Sequence, residues 1–328
     1  MSEKGLSIVI VNYFSESYII PLVNTIISNI NIKNYEILIV SNSPSLFKWD
    51  CDYLDKYNIN IFENGSNEGF GRAINFGVDC AKYDYFCMIN PDIDINSDTL
   101  DKLYLFFNTL EDEVGAISCM VKNSDGTMQN SFFMDRGLRK KSFFLLYLSK
   151  LIPSKILNYI KRDKNIKQEL NLSKPFEVGG FYASFVMMRK SAFIEVGGFD
   201  RDFFMYAEDV DLFRTRFIKR YKSIFYPFVE LTHFSGKTDR YGLMEHQSQV
   251  SYLLYLRKAG GYYLFVYVFV LSIKYSLLLL ISLFLDKKAK KEEAFGFFKS
   301  LKYLKTILKY PKGYSLMPNA LKIDEIKD

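Results

Sequence analysis

Cysteine is scarce in this sequence, with four residues (Cys51, Cys80, Cys87 and Cys119) and none at metal-ligand spacing. That argues against a zinc module or a disulfide scaffold and suits reduced, buried thiols in a cytosolic setting. Histidine is scarcer still, only His233 and His246. The N-terminus, MSEKGLSIVIVNY, has an apolar stretch too short for a signal peptide, so this part of the chain is expected to stay in the cytoplasm. The glycine-rich stretch SNEGFGRAINFG (66–77) lacks the GxGxxG pattern of dinucleotide binding, which makes an NAD enzyme a weak reading. Internal repeats and low-complexity linkers are missing too.

What is present is enough chain for a sizeable core: 328 residues, 49% hydrophobic and rich in aromatics, with 30 Phe and 24 Tyr. The net charge of +6 is unevenly spread. Residues 137–174 carry ten Lys and Arg against two acids, and residues 286–313 carry nine Lys against three. Everything else is therefore acidic on balance. Both basic stretches alternate with Phe, Leu, Ile and Tyr, a mixture that suits an anionic membrane surface better than nucleic acid.

LSIVIV (6–11) and YEILIV (35–40) are short continuous apolar runs with helical spacing between them, the pattern of parallel strands buried on both faces. Further strands are expected at 58–62, 83–90, 114–120, 181–190 and 221–227. Helices are expected over 71–82 and from about Asp98. This predicts an α/β domain open to a ligand at the carboxyl ends of its strands. The stretch FFLLYLSKLIPSKILNYIKR interrupts the pattern inside 137–174 as a basic amphipathic insert. A 24-residue apolar run at 262–285 is broken only by Lys274.

Several groups of residues could carry chemistry. INPDID (89–94) follows the fourth strand, where Asp92 could hold a divalent cation bridging two phosphates. It could also be a plain Asn-Pro-Asp turn. Gly69 and Gly71 would let backbone approach a ligand, with Arg72 adding positive charge. FFMYAEDVDLFRTR (203–216) gathers Glu208, Asp209 and Asp211 within four positions, either as acids favoured at a helix start or as a reactive cluster. His233, in ELTHFSGKT, is either structural or a metal ligand.

Taken in order, SIVIVNY, NEGFGRAINFG, NPD, GGFDRDFFMYAEDVDLFRTR and a late His resemble the family 2 glycosyltransferases with a GT-A fold, in particular a rhamnosyltransferase-like bacterial group. The resemblance covers about residues 5 to 240, and GGFD…FFMYAEDVDL is its most specific part. It implies a Rossmann-like mixed sheet flanked by helices over 1–240, followed by a basic, membrane-associating helical region over 241–328. It implies an inverting transferase with Asp209 as the base that deprotonates the acceptor hydroxyl, Glu208 and Asp211 orienting the acceptor and holding the loop. The nucleotide sugar would lie against Asn12, Tyr13, Ser41, Asn42, Asn67, Gly69, Phe70, Arg72, Asn75, Asn90 and Asp92. Mg²⁺ or Mn²⁺ would bind through Asp92 and His233.

Two departures from the family pattern stand out. The motif that is DXD-like in relatives reads Asn90-Pro91-Asp92 here, keeping only the second acid. The second strand ends Val40-Ser41-Asn42, where relatives usually place Asp-Asn against the pyrimidine base.

The implied activity is transfer of a sugar, best assigned as L-rhamnose from dTDP-rhamnose, onto a polyprenyl-diphosphate-linked saccharide in O-antigen, lipopolysaccharide or capsule-type synthesis. A UDP-hexose donor and, from another class, a non-catalytic saccharide- or lipid-binding scaffold are the alternatives. A nucleotidyltransferase acting on sugar phosphates would need a Gly-rich, Lys-containing N-terminal loop that is missing. The expected location is the cytoplasmic face of the bacterial inner membrane. The apolar run is long enough to span. A single span would, however, put the Lys-rich tail on the far side and Lys274 at the bilayer midpoint. A re-entrant hairpin or interfacial helix pair is therefore expected.

Overall fold

A computed structural model describes residues 3–43, 49, 51–95, 98–134, 172–234 and 243–284, with short pieces at 144, 148, 294–295, 297–299, 301–304 and 308. The insert core and most of the Lys-rich tail lie outside the described residues. The chain divides into two compact units, Met1–Gly137 with Leu172–Asp239, and Leu138–Asn171 with Arg240–Asp328.

The first unit is built on one mixed sheet. β1 (Glu3–Asn12) lies between β2 (Tyr35–Ser41) and β4 (Tyr83–Ile89), parallel to both, with Ile8 opposite Ile37 on one side and Cys87 on the other. β3 (Ile59–Glu63) extends the parallel edge beyond β2. Eight consecutive residues of β1 are buried, because alternate side chains feed two separate apolar layers. Ile8, Ile10, Ile37 and Ile39 pack with Leu22 and Ile26 of α1 (Glu16–Asn29) and with Leu103 and Phe107 of α4 (Thr99–Asn108). Val9, Val11, Leu38 and Val40 pack with Ala73, Ile74 and Val78 of α3 (Phe70–Cys80). Gly77 of α3 sits so close to Val9 that a larger side chain would collide.

Beyond β4 the sheet departs from the parallel pattern of its first half. After β6 (Val114–Lys122) and the short β7 (Phe132–Phe133), β8 (Phe176–Val178) and β9 (Gly180–Phe181), β10 (Phe185–Arg189) is inserted antiparallel between β4 and β6. β11 (Lys222–His233) then runs parallel to β6 and antiparallel to the short β5 (Ile93–Ile95). The run FVMM (185–188) is continuous and apolar, so its sequence carries no strand direction. β5 pairs with the last three residues of β11, which sets His233 opposite Ile93. That register brings the late histidine to the Asn90-Pro91-Asp92 loop.

Cys87 and Cys119 are free and buried, and burial pushes both thiols up. Cys80 is exposed at the end of α3, which corrects the expectation that all the thiols are buried. The second unit holds two consecutive helices, Leu243–Ala259 and Gly261–Phe284, joined at Gly260 with φ 142°. Tyr252 of the first packs on Tyr267 of the second, ring centroids 5.3 Å apart.

Candidate active site

The acidic cluster follows two left-handed residues that are not glycine, Tyr206 (φ 70°) and Ala207 (φ 66°). Each such residue costs on the order of 1–3 kcal/mol and persists only where its surroundings hold it. A single helical turn, Glu208–Asp211, starts there and widens into a π turn over Leu212–Arg216. The restraint comes from both sides. Ahead of the strained pair, Phe203 and Phe204 are buried, and Phe70 donates its backbone N–H to the Phe204 carbonyl at 3.0 Å. Gly69, with φ 86°, packs so tightly on that carbonyl that a Cβ would collide with it. Behind it, the buried Asp211 carboxylate accepts from Arg216 at 3.0 Å, and Arg216 also donates to the Val196 and Gly198 carbonyls. Asp211 therefore holds the loop.

Asp209 is held by backbone. One oxygen accepts from the Ala183 N–H at 3.0 Å, the other from the Val210 N–H at 2.7 Å. Burial raises its pKa, and these amides together with the Arg214 charge pull against that rise. A carboxylate whose affinity for a proton is raised while it is still stabilised as an anion is suited to accept a proton from a hydroxyl. Beside it Glu208 is 4% exposed, and its Oε2 has no hydrogen-bond partner among the described residues. Burial first, then the Asp209 charge, pushes Glu208 up to about 8. Buried side by side, the two carboxyls hold a proton more tightly than isolated ones would.

The second half of the site centres on Asp92. Its Oδ1 lies 3.1 Å from His233 Nε2, and His233 Nδ1 lies 3.0 Å from Gln129 Oε1. The Phe234 N–H donates to the Asp92 carbonyl, fixing the loop from the far side. His233 thus faces the Asp92 carboxylate with one ring nitrogen and Gln129 with the other, and the Asp92–His233 pair offers an oxygen and a nitrogen that a divalent cation could share. Among the described residues no three His, Cys, Asp or Glu side chains gather as a metal cluster. Asp92 and His233 are the two side chains here that could hold a divalent ion, which would supply positive charge toward phosphate oxygens.

The dipeptide Ala183-Ser184 joins the two halves. Ala183 holds Asp209, and the Ser184 carbonyl accepts from the Asn90 N–H at 2.8 Å. Neither residue, nor Gln129, was singled out from the sequence. Ala183 and Ser184 act through backbone atoms that no side chain announces, and Gln129 lies 104 positions from His233.

The residues expected at the nucleotide sugar fall into two groups. Asn67 caps Gly69 through an Asx turn at 3.0 Å, and Gly69 and Phe70 form the turn into α3. Tyr13 and Asn90 are partly exposed at strand ends. Asn12, Ser41 and Asn42 are buried and bonded into one network that also includes Ser43 and Glu16, with the Asn42 amide reaching the Gly69 carbonyl at 3.2 Å. Arg72 is engaged by the Arg201 carbonyl and Glu68. Asn75 accepts from the Phe199 N–H and donates to the Phe199 carbonyl. Asn12, Ser41 and Asn75 thus tie their loops to neighbouring segments through hydrogen bonds.

Residues 7–197 match the family described as Glycosyl transferase family 2. The chain belongs to this family. The match includes Asn90 and Asp92 and stops before Glu208, Asp209 and His233, which lie beyond it. The chain is similar to the low-salt glycan biosynthesis hexosyltransferase Agl10 of Haloferax volcanii, 28% identical over 63% of this chain and 59% of that one. It is similar to the rhamnosyltransferase WbbL of Escherichia coli, 27% identical over 72% and 89%. It is also similar to the N-acetylglucosaminyl-diphospho-decaprenol L-rhamnosyltransferase of Mycobacterium tuberculosis, 26% identical over 54% and 59%. The chain thus spans about six tenths of the length of the Haloferax and Mycobacterium relatives. Among solved structures, the mannosyltransferase PcManGT of Pyrobaculum calidifontis, in complex with GDP-Man and Mn²⁺, shares the fold at a TM-score of 0.50 and 13% identity, covering 94% of this chain and 87% of that one. GalNAc-T7 with UDP, GalNAc and Mn²⁺ shares it at 0.54 and 14%, covering 93% and 57%. The chain therefore has the GT-A fold.

Proposed function

We propose that this family 2 glycosyltransferase moves L-rhamnose from dTDP-rhamnose onto a polyprenyl-diphosphate-linked saccharide, with inversion, in surface-polysaccharide synthesis at the cytoplasmic face of a membrane. The observation that carries the chemistry is Asp209, a carboxylate held by two backbone amides on a strained turn beside the buried Glu208, whose pKa burial raises. In this reading Asp209 takes the acceptor hydroxyl proton as that oxygen attacks the anomeric carbon. Asp92 and His233 hold a Mg²⁺ or Mn²⁺ ion, which neutralises charge on the leaving diphosphate. Asn90 faces the ribose or phosphate, and the buried Asn12–Ser41–Asn42 network positions the loops under the nucleotide.

The donor and acceptor rest on the relatives: two are named as L-rhamnosyl or rhamnosyl transferases, one with a decaprenol-linked acceptor in its name. A second reading, a hexose donor, is favoured by the hexosyltransferase among the relatives. The test is purified full-length protein offered a panel of nucleotide sugars, scored for nucleotide release with and without a lipid-linked acceptor. Release from dTDP-rhamnose that rises with acceptor, and a product anomer opposite to the donor's, is the expected result. Turnover of a UDP-hexose alone gives the second reading. Silence with every donor would leave only a binding role.

A further inference from the structure

The helix Gly261–Phe284 is long and apolar enough to cross a membrane over Gly261–Leu280, where mean hydropathy is 2.0, yet a third of that window is buried in protein. Its exposed large apolar side chains are Tyr262, Phe265, Phe269, Ile273, Leu277 and Leu280. At about 100° per residue these six fall within an arc of about 120°. Phe265 and Phe269 stack along this arc, centroids 5.7 Å apart. Off that arc Tyr263, Leu264, Tyr267, Val270, Leu271 and Tyr275 are buried, Tyr267 packing on Tyr252 and Tyr275 on Phe297 at 4.8 Å, while Val268, Leu278 and Leu279 are half-buried.

We infer that this helix lies in the plane of an anionic bilayer surface, its six-residue stripe sunk to the acyl boundary, and does not cross the bilayer. The inference deepens the membrane partner named in the reading above and rests on it.

Three observations separate lying from crossing. First, a spanning helix meets lipid all round, whereas this one offers lipid a single stripe. Second, the helix packed against it, Leu243–Ala259, carries Glu245, Gln247, Gln249, Arg257 and Lys258. Crossing as a pair would drag those groups into hydrocarbon, where each is expensive. Third, Lys274 projects about 60° beyond the edge of the stripe, its ammonium over the Tyr275 ring at 4.8 Å. In a crossing helix that charge sits at mid-bilayer. In a lying helix the side chain reaches the phosphate layer along its own stem. The occupant is argued from charge as well. The chain that follows, residues 286–313, has nine Lys against three acids, which complements anionic headgroups.

The test uses the full chain with Trp49→Phe as background and single replacements Phe265→Trp, Phe269→Trp, Ile273→Trp and Leu277→Trp. Each is bound to vesicles of equal parts phosphatidylcholine and phosphatidylglycerol carrying bromine at a shallow or a deep acyl position. A lying helix gives strongest quenching by shallow bromine at all four positions, alike within about twofold. Deepest quenching at Ile273→Trp with shallower ends would mean a span and overturn the inference, as would no quenching at any position. In flotation at high salt, Phe265→Ser with Phe269→Ser should lower the vesicle-bound fraction by about tenfold or more, since both rings lose their lipid contact. Unchanged flotation would also overturn it. Transfer to a short-chain soluble acceptor, followed in the same preparations, keeps the two readings apart. A chain that transfers sugar but ignores vesicles defeats this inference alone, and one that binds vesicles in plane without transferring sugar defeats the proposed function alone.

Discussion

The Asp209 carboxylate accepts a hydrogen bond from the backbone of Ala183, 26 positions earlier in the chain, at 3.0 Å. The next residue, Ser184, receives the N–H of Asn90. The lead-in to β10 thus sets the spacing between the carboxylate loop and the Asn90-Pro91-Asp92 loop. Neither can shift without moving the other.

Asp209→Asn should lower turnover by about 10²–10⁴-fold, the usual cost of losing a general base. Asparagine offers one acceptor oxygen where Asp209 uses two, so one of the Ala183 and Val210 amides loses its partner. Donor affinity, measured by titration calorimetry, should stay within a few-fold of wild type. Retention of more than a tenth of the turnover would remove Asp209 from the role of base.

Asp92→Ala should weaken donor binding in the presence of Mg²⁺ or Mn²⁺ and have little effect in their absence. It removes a carboxylate that, with His233, could bridge the ion to the diphosphate. The readout is donor affinity with and without metal. Wild-type turnover that survives exhaustive EDTA treatment would take the ion out of the reaction.

Glu208 makes stability depend on pH in a direction opposite to an ordinary paired carboxylate. Its pKa in the fold is raised to about 8 from a usual 4.5. Between those values the folded chain keeps a proton that the unfolded chain has released. Stability is therefore full below 4.5, falls as pH rises toward 8, and levels off above it. Asp209, also raised by burial, acts in the same direction. Glu208→Gln should flatten the decline in Tm across this window, so that the variant gains on wild type as pH rises. A slope equal to wild type would mean that Glu208 is already ionised in the fold.

Gly69→Ala should destabilise the first unit. Its φ of 86° alone costs a non-glycine residue about 1–3 kcal/mol. The added methyl would also collide with the Phe204 carbonyl and push the strained turn before Glu208. The urea midpoint should fall and turnover with it. A variant with both unchanged would show that the contact between the two loops is dispensable.

The sheet was readable where periodicity and burial agree. LSIVIV and YEILIV predicted β1 and β2 because strands covered on both faces are apolar without a break. The loops bearing Asp92 and Asp209 stood out because acids gather there after apolar runs. What escaped notice depends on partners far away in sequence. The direction of β10 follows from its neighbours, and a three-residue strand such as β5 is too short to show a period. Asn75 was expected at the ligand through the family resemblance. Only the fold shows both of its amide atoms bonded to Phe199.

The antiparallel insertion of β10 also governs the order in which the chain can fold during synthesis. β4 is complete at Ile89 and β6 at Lys122, but the strand that belongs between them begins only at Phe185. Until the ribosome has delivered it, both strands present open, apolar edges of the kind that recruit other chains. The amphipathic insert at 137–174 emerges within that interval, before the sheet can close. A nascent chain halted at residue 184 should therefore be a client for chaperones, and release from them should follow delivery of five residues, Phe185–Arg189.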